Sequence, residues 1–405
     1  MAKHTLPSIS LGVQCGLLLT VLTGMAAYAV QNRHGLAVTG MYRDVSWGLY
    51  ISQFTFAVGI AASSVVVLVP HYVHRAPDGG LVFVGEALAV AALIEAFAFV
   101  FVDLGRPSRL LGLLVHASPS SVMFWDVLLL TTYLLLCAAM LAAQTVDRSG
   151  TPGTCAQRLA LASIPFALAI HIVTAMLYSG LAARVGWMSA LLAPRFLATA
   201  FASGAALLLL IATSRCAAAR FTVATGTTAL LTNILSYALL AALLFTGLEA
   251  FTAGYSRLPP AAHHLHHLLD FGASGLGWWT LLAHSLLIAA LVLLLVPRAR
   301  QRAGLVRLAS AAALGGVFIE KGLLFVPSGF TPSPFGDLTS YRPSAVEVLV
   351  TAGIHALGAL VFLALLRIGL ARHPTSPHIA TETNKRAPRA LVTAEKAHAQ
   401  LRHFQ

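Results

Sequence analysis

The sequence has too few charged residues for a soluble protein of its length. Only 10% of its 405 residues are Asp, Glu, Lys or Arg, and 58% are hydrophobic, whereas a soluble domain carries about 25% charged residues. This shortage excludes a water-soluble enzyme and indicates that most of the exterior faces lipid. The formal net charge is +12, but no basic face is continuous enough to neutralise phosphates, so we expect no nucleic-acid partner.

Cysteine is also scarce, and its spacing excludes several cofactors. The four cysteines are far apart and form neither a CxxC nor a CxxCH motif. We therefore expect no iron–sulfur cluster, structural zinc or covalently attached c-type haem in this chain, and no other metal site. The cysteines are Cys15, Cys137, Cys155 and Cys216.

Three histidines, His171, His284 and His355, lie inside apolar runs on three different predicted helices. One facing pair could supply the axial ligands of a haem b, so a haem b subunit remains an alternative. A histidine that is hydrogen-bonded inside a helix bundle is the simpler interpretation of each.

Ten apolar runs are long enough to cross a bilayer, whose hydrocarbon core of about 30 Å needs roughly 20 residues of helix. They predict an all-α integral membrane protein with about ten transmembrane helices. The predicted runs are residues 11–30, 47–70, 80–103, 122–145, 159–182, 194–214, 226–250, 276–297, 305–327 and 345–370.

The distribution of Lys and Arg predicts the orientation of the chain. Ten crossings put both termini on one side, and the loops and tail of that side hold most of the Lys and Arg. The positive-inside rule then places both termini in the cytoplasm. Much of this bias comes from residues 298–307 and from the polar tail 373–405.

Half of the 14 acidic residues lie in or at the ends of the predicted helices. A carboxylate at the bilayer centre costs roughly 3 kcal/mol or more unless it is paired, hydrated or protonated. These acids indicate proton handling and a polar ligand pocket near the outer face; helix caps and structural pairs are the alternative for each. They are Glu86, Glu95, Asp103, Asp126, Glu249, Glu320 and Glu347.

Four charged residues deep in the runs are candidates for proton handling: Glu86, Glu95, Glu320 and Lys321. Helical periodicity turns Glu86 and Glu95 to opposite sides of one helix, so a proton path between them would need neighbouring helices. Glu320 and Lys321 are adjacent and point in different directions, so each needs a partner elsewhere.

A histidine-rich segment, residues 263–267, has the i,i+3 and i,i+4 spacing of a metal site. It lies in an outer loop without accompanying cysteine. We interpret it as an interfacial or partner-contacting segment.

Residues 103–107 read Asp-Leu-Gly-Arg-Pro, and residues 319–322 read Ile-Glu-Lys-Gly. The first run resembles the DLGRP signature of the NrfD/polysulfide-reductase membrane-subunit family, and the second resembles its ten-span branch, which holds the DsrP and HmcC subunits. The resemblance covers about residues 40–370. Further similar segments are residues 47–50, 56–59, 116–126, 193–196, 202–204, 332–336 and 341–343.

The resemblance implies two four-helix bundles, flanked by the first and last helices. The segments are then a first helix with its outer loop (1–46), a first bundle (47–182), a second bundle (194–327), an outer loop with the last helix (328–372) and a cytoplasmic tail (373–405). The proline- and glycine-rich loop 328–344 should cap the outer end.

The resemblance also implies a function as the quinone-interacting subunit of a Dsr-like sulfur-metabolism complex in the bacterial inner membrane. Electrons would pass between the quinone pool and a periplasmic ferredoxin-like iron–sulfur subunit, with no redox cofactor bound to this chain. Cytochrome b, cytochrome c and cytoplasmic iron–sulfur subunits are the further partners that it implies.

The implied quinone pocket lies near the outer face, where a headgroup needs hydrogen-bond donors and acceptors. Asp103 could relay a proton, and Arg106 could pair with Asp103 or stabilise a reduced, anionic headgroup. A helix-end ion pair that only shapes the turn is the alternative for these two. The candidate quinone-binding residues are Gln53, Asp103, Arg106, His116, Trp125, Tyr133 and His171.

Two rivals from other functional classes remain open. Buried acids and Lys321 would also suit an ion- or proton-coupled transporter, although no inverted repeat is evident. A pure anchor for partner subunits is the other, and it would tolerate neutral substitutions at Asp103 and Arg106.

Overall fold

The structure, a computed structural model, is helical over the residues it describes and contains no β-strand there beyond one isolated bridge between Tyr42 and Val45. Those residues are 11–73, 79–109, 112, 118–146, 154–214, 225–256, 258–272 and 275–372.

Ten helices in this part of the chain are long and apolar enough to cross a membrane, which confirms the predicted number. The protein is therefore a multi-pass integral membrane protein. The helices are α1 (Leu11–Val38), α2 (Leu49–Tyr72), α3 (Gly80–Asp103), α4 (Val122–Thr145), α5 (Cys155–Ser179), α6 (Leu192–Ala212), α7 (Gly226–Tyr255), α8 (Gly277–Leu295), α9 (Ala303–Ser328) and α10 (Ala345–Gly369).

Helix contacts confirm the arrangement as two four-helix bundles with two flanking helices. In the first bundle α2, α3, α4 and α5 contact one another in a ring, and α6, α7, α8 and α9 do the same in the second. The bundles meet where α2 contacts α6 and α9, and where α5 contacts α6. Helix α1 lies along α10, which in turn packs on α3.

The α1–α10 contact depends on two glycines. A Cβ atom added to Gly24 would lie 2.7 Å from the Cα atom of Gly353, so larger residues would force the helices apart. Small residues allow this close backbone approach inside a membrane, where no hydrophobic force drives helices together.

The outer face is defined here as the end of the bundle that carries the connections after α1, α3, α5, α7 and α9. The loop after α9 covers it, as the sequence predicted: Phe330 packs edge-on against Trp47 and Trp187. A Cβ at Gly329 would lie 1.8 Å from Nε1 of Trp187, so this position has no room for a side chain.

Candidate functional site

A chain of hydrogen bonds, the polar chain, joins four helices in the outer half of the membrane. It consists of Glu95 on α3, His355 on α10, Gln53 on α2 and the carbonyl of Gly322 on α9. Nδ1 of His355 lies 2.8 Å from Oε2 of Glu95, and its Nε2 lies 2.9 Å from Oε1 of Gln53. Nε2 of Gln53 donates to the Gly322 carbonyl over 2.7 Å.

The donors and acceptors of the polar chain require a proton between Glu95 and His355. The carbonyl of Gly322 can only accept, so the Gln53 amide nitrogen must face it and Oε1 must face His355. Nε2 of His355 is therefore a donor. Nδ1 and the Glu95 carboxyl then share one further proton, either on the imidazole or on the carboxyl group. The pair can release or take up that proton.

Two local features of the backbone make the polar chain possible. Residues 318–324 of α9 form a π-helix, a wider turn that is frequent at functional sites, and it includes the Gly322 carbonyl. On α10, Gly358 follows His355 by three residues on the same helix face. A Cβ at Gly358 would lie 1.7 Å from Oε1 of Glu95, so this glycine provides the space for the carboxylate.

The polar chain runs from a partly exposed end at His355 and Glu95 to a buried end at Gln53. The side chains of His355 and Glu95 are 32% and 17% exposed, whereas Gln53 is fully buried. By position along their helices, the three lie about 6 to 15 Å below the outer ends of those helices. Since this depth is inside the hydrocarbon region, the His355–Glu95 pair is accessible to a lipid-soluble molecule.

Lys321 adjoins the polar chain at the boundary between the two bundles. It is buried, donates to Oγ1 of Thr199 over 3.2 Å, and its Nζ lies 3.9 Å from the ring centre of Phe196. No carboxylate lies within 4 Å of it among the described residues. Glu320 is half-buried and forms no ion pair with its neighbour, as the sequence predicted.

Asp103 lies two helical turns closer to the outer face than Glu95, on the same helix. Its Oδ1 is shielded from solvent and has no hydrogen-bond partner in the described part of the chain. Next to it, Nε2 of Gln31 donates to the carbonyl of Val102 over 2.7 Å, and Tyr50 donates to Gln31.

Arg106 does not pair with Asp103. The arginine is exposed, and the described residues contain no ion pair between the two. The DLGRP corner thus presents a carboxylate with one shielded oxygen and an exposed cation rather than a closed ion pair.

The structure separates the two aromatic candidates, Trp125 and Tyr133. Trp125 is 46% exposed and donates to the carbonyl of Pro119 over 2.8 Å. Tyr133 is fully buried and donates to the carbonyl of Ala61 over 3.2 Å. One headgroup cannot contact both in this arrangement.

The two histidine candidates differ. His171 is buried; its Nδ1 lies 2.7 Å from the carbonyl of Ala167, and its Nε2 has no partner among the described residues. His116 lies outside the described residues.

Glu86 occupies a separate position toward the opposite end of α3. It is fully buried, and Nε2 of Gln144 on α4 donates to its Oε2 over 2.7 Å. Its Oε1 has no partner within the described ranges. Glu86 faces α4 and Glu95 faces α10, so the predicted divergence of these two acids is confirmed.

Glu347 has a structural role, which was the alternative interpretation. It and Ser344 form a capping box at the start of α10: the Ser344 N–H donates to Glu347, and the Glu347 N–H donates to Ser344. Glu347 also accepts from the Gly40 N–H and the Tyr341 hydroxyl, each over 2.6 Å. Burial raises the pKa of Tyr341, so it remains a donor.

Two further acids also have local partners. Asp126 on α4 accepts from the hydroxyl of Thr174 on α5 over 2.6 Å. Glu249 on α7 forms an ion pair with Arg195 on α6. These contacts join neighbouring helices within each bundle.

The histidine-rich segment is part of a surface helix, Pro259–Leu269. Nδ1 of His264 lies 3.0 Å from the carbonyl of Thr331 in the capping loop, and His267 is buried. Across the residues that the structure describes, no group of three or more His, Cys, Asp or Glu residues converges as a metal site would.

The interpretation of His355 as a histidine hydrogen-bonded inside the helix bundle is confirmed. Its partners could not be predicted from the sequence, because nothing in α10 itself marks them. Only the spacing from His355 to Gly358, which opens one helix face, hints at the contact with Glu95.

Comparison with protein families supports a redox setting. The family described as Polysulphide reductase, NrfD, matches residues 37–332, which is most of the chain.

Two individual relatives are similar over most of their length, and a third over about half. A putative dimethyl sulfoxide reductase membrane subunit of Halobacterium salinarum is 29% identical, over 87% of this chain and 89% of the relative. The Hdr-like menaquinol oxidoreductase integral membrane subunit of Archaeoglobus fulgidus is 23% identical, over 86% and 90%. A selenate reductase subunit of Mesobacillus selenatarsenatis is 26% identical, over 47% and 53%.

Proposed function

Because the chain belongs to the polysulphide reductase NrfD family, we propose that it is the membrane subunit at which an oxidoreductase complex exchanges electrons and protons with quinone. The observation that carries the proposal is the His355–Glu95 pair, which shares a proton at membrane depth, is partly exposed and is anchored by buried Gln53. The name of the Archaeoglobus relative, a menaquinol oxidoreductase subunit, supports the choice of quinone as substrate.

The chemistry of quinone matches this pair. Reduction of a quinone by two electrons consumes two protons, and oxidation of the quinol releases them. A carbonyl oxygen that enters beside the pair can take up the proton that His355 Nδ1 and the Glu95 carboxyl group share. Gln53 holds the imidazole in place because its amide is itself fixed by the Gly322 carbonyl.

The other charged residues have distinct proposed roles. Asp103, with one shielded oxygen that has no partner among the described residues, relays protons between the His355–Glu95 pair and the outer face. Lys321, whose buried amino group has no carboxylate of the described chain within 4 Å, is proposed to stabilise negative charge that develops on the headgroup. Glu86 and Glu320 are proposed as further proton-handling groups.

The candidates nearest the outer surface are proposed to act at the entrance to the pocket. Arg106 and Trp125 are exposed there, and His116 is assigned to the same end from its position in the sequence. Tyr133 and His171 are buried deeper, and we propose that they shape the wall of the pocket.

The narrower assignment to a Dsr-like sulfur-metabolism complex is part of the proposal. It is supported by the resemblance of residues 319–322 to the DsrP branch and predicts an iron–sulfur subunit at the outer face. The accompanying topology has both termini in the cytoplasm of a bacterial inner membrane. Identification of the subunits that co-purify with a tagged chain, together with cysteine labelling from each side, tests both statements.

His355→Gln in the tagged complex tests the main proposal. Loss of a proton-transferring side chain typically lowers a rate by about 10²- to 10⁴-fold, so quinol-linked turnover should fall by at least 100-fold. Electron transfer from a water-soluble dye to the partner subunits should stay at the wild-type rate.

His284→Gln is the matched control, because His284 is also in a membrane helix but its Nδ1 lies 2.8 Å from the carbonyl of Thr280 in that same helix. Unchanged quinol turnover in His355→Gln would overturn the proposal. Solute flux through liposomes that contain this chain alone would favour a transporter instead.

A further inference from the structure

An aromatic cavity opens at the outer face, away from the polar chain. Its volume is about 360 Å³, which falls in the usual range for ligand pockets. The walls are Trp47 and Trp187, stacked at 5.9 Å between ring centres, with Phe330 edge-on to both. Arg184 is a charged residue on this wall.

Arg184 is held in place, but one of its N–H groups is unsatisfied. The carbon centre of its guanidinium group lies 4.3 Å from the centre of the Phe330 ring, a cation–π contact that fixes the group over the aromatic wall. Its Nη1 is shielded from solvent and has no hydrogen-bond partner among the described residues. Burial lowers the pKa of Arg184, and the charge of the exposed Asp44 partly offsets that shift. The two side chains do not form an ion pair.

The partly exposed guanidinium group of Arg184 faces this cavity, and a carboxylate is the acceptor that best matches its planar fork. We propose that this cavity binds a carboxylate, an acidic side chain or a chain terminus, that an extrinsic partner subunit inserts between Trp47, Phe330 and Arg184. Arg184 is then the buried anchor of a subunit interface, of the aromatic and arginine type that dominates binding energy.

The location of the cavity favours a partner from the aqueous side. Its wall residues precede α2, connect α5 to α6 or follow α9, so they lie outside the membrane-crossing segments. A lipid-soluble headgroup would instead enter between helices, as at His355. The loops of this face contain more arginine than acid, which would attract an acidic protein surface. Their charged residues are Arg43, Asp44, Arg106, Arg109, Arg184, Arg257, Asp270, Asp337 and Arg342.

A photo-reactive amino acid at Leu181, an exposed residue of the cavity wall, identifies the occupant directly. In the intact complex the expected product is a covalent link to a partner polypeptide, at or beside an acidic residue or chain end. A link only to lipid or quinone, or no link to any protein, would overturn the proposal. This readout does not require Arg184 to be changed.

The dissociation rate of the extrinsic subunit, measured in the same complex, tests the contribution of Arg184 to binding. The variants are Arg184→Gln, Arg184→Lys and the control Arg342→Gln. Arg342 is an arginine of the same face outside the cavity, and its substitution removes the same charge. Removing one member of a buried charge pair mainly accelerates dissociation. Arg184→Gln should therefore release the extrinsic subunit at least roughly 30-fold faster, Arg184→Lys less so, and Arg342→Gln at the wild-type rate.

If the extrinsic subunit dissociates from the Arg184→Gln complex at the wild-type rate, the proposed role of this arginine is refuted. Binding of a quinone analogue to membranes that contain Arg184→Gln should stay unchanged. The result therefore separates failure of the docking proposal from failure of the quinone proposal.

Discussion

Gly358→Ala removes no chemical group, yet it should break the hydrogen bond between Glu95 and His355 in the polar chain. The added Cβ would lie 1.7 Å from Oε1, 2.3 Å from Cδ and 2.5 Å from Cγ of Glu95. Since non-bonded carbon contacts need about 3.5 Å, the carboxylate must move by roughly 1.5 to 2 Å. A shift of that size breaks its 2.8 Å hydrogen bond to His355.

The energetic cost of this change is moderate. A hydrogen bond to a charged group contributes about 1.5 to 3 kcal/mol, while alanine favours a helix over glycine by about 1 kcal/mol. The atoms that clash belong to the end of a flexible side chain, so the backbone can stay in place. We expect a loss of about 0.5 to 2 kcal/mol, with the fold intact and quinol-linked turnover at least 100-fold lower.

The assay is quinol-linked turnover of the purified complex beside a thermal unfolding curve in detergent. Gly247→Ala is the control, because a Cβ at Gly247 in α7 meets no described atom within 4 Å. Glu95→Gln should reproduce the loss, and combining it with Gly358→Ala should add little, since both act on one interaction. Normal turnover of Gly358→Ala would refute the reasoning.

Three further predictions concern other contacts. Lys321→Met should change the free energy of unfolding by no more than about 1 kcal/mol, because replacing a buried charge by an apolar group of similar size is often neutral. The same substitution should lower quinol turnover at least tenfold. Turnover equal to that of the wild type would exclude an electrostatic role for Lys321. Glu347→Gln should destabilise the protein by about 1 to 2 kcal/mol, because it weakens the hydrogen bonds that Glu347 accepts. The melting temperature should fall, while quinol turnover per folded complex should equal that of the wild type. Burial lowers the pKa of His264, so the unfolded chain binds its proton first and stability should decrease as the pH falls below about 6.5. His264→Gln should weaken that dependence between about pH 7.5 and 5.5, and an identical profile would contradict the assignment.

The sequence alone was sufficient for the number and approximate ends of the membrane helices. Whether a run of residues can cross a bilayer depends on its own length and polarity, which are local properties. The divergence of Glu86 from Glu95, and of Glu320 from Lys321, followed from helical periodicity for the same reason.

Tertiary structure alone decided which charged residues share a site. Glu95 and His355 are 260 positions apart and meet only because α10 packs on α3. A glycine on one helix and a π-helical turn in another make that meeting possible. No local pattern encodes such contacts, because the residue type at one end does not specify which distant helix will supply its partner. The sequence therefore determined that polar groups lie in the membrane, and the packing of α2, α3, α9 and α10 determined which of them act together.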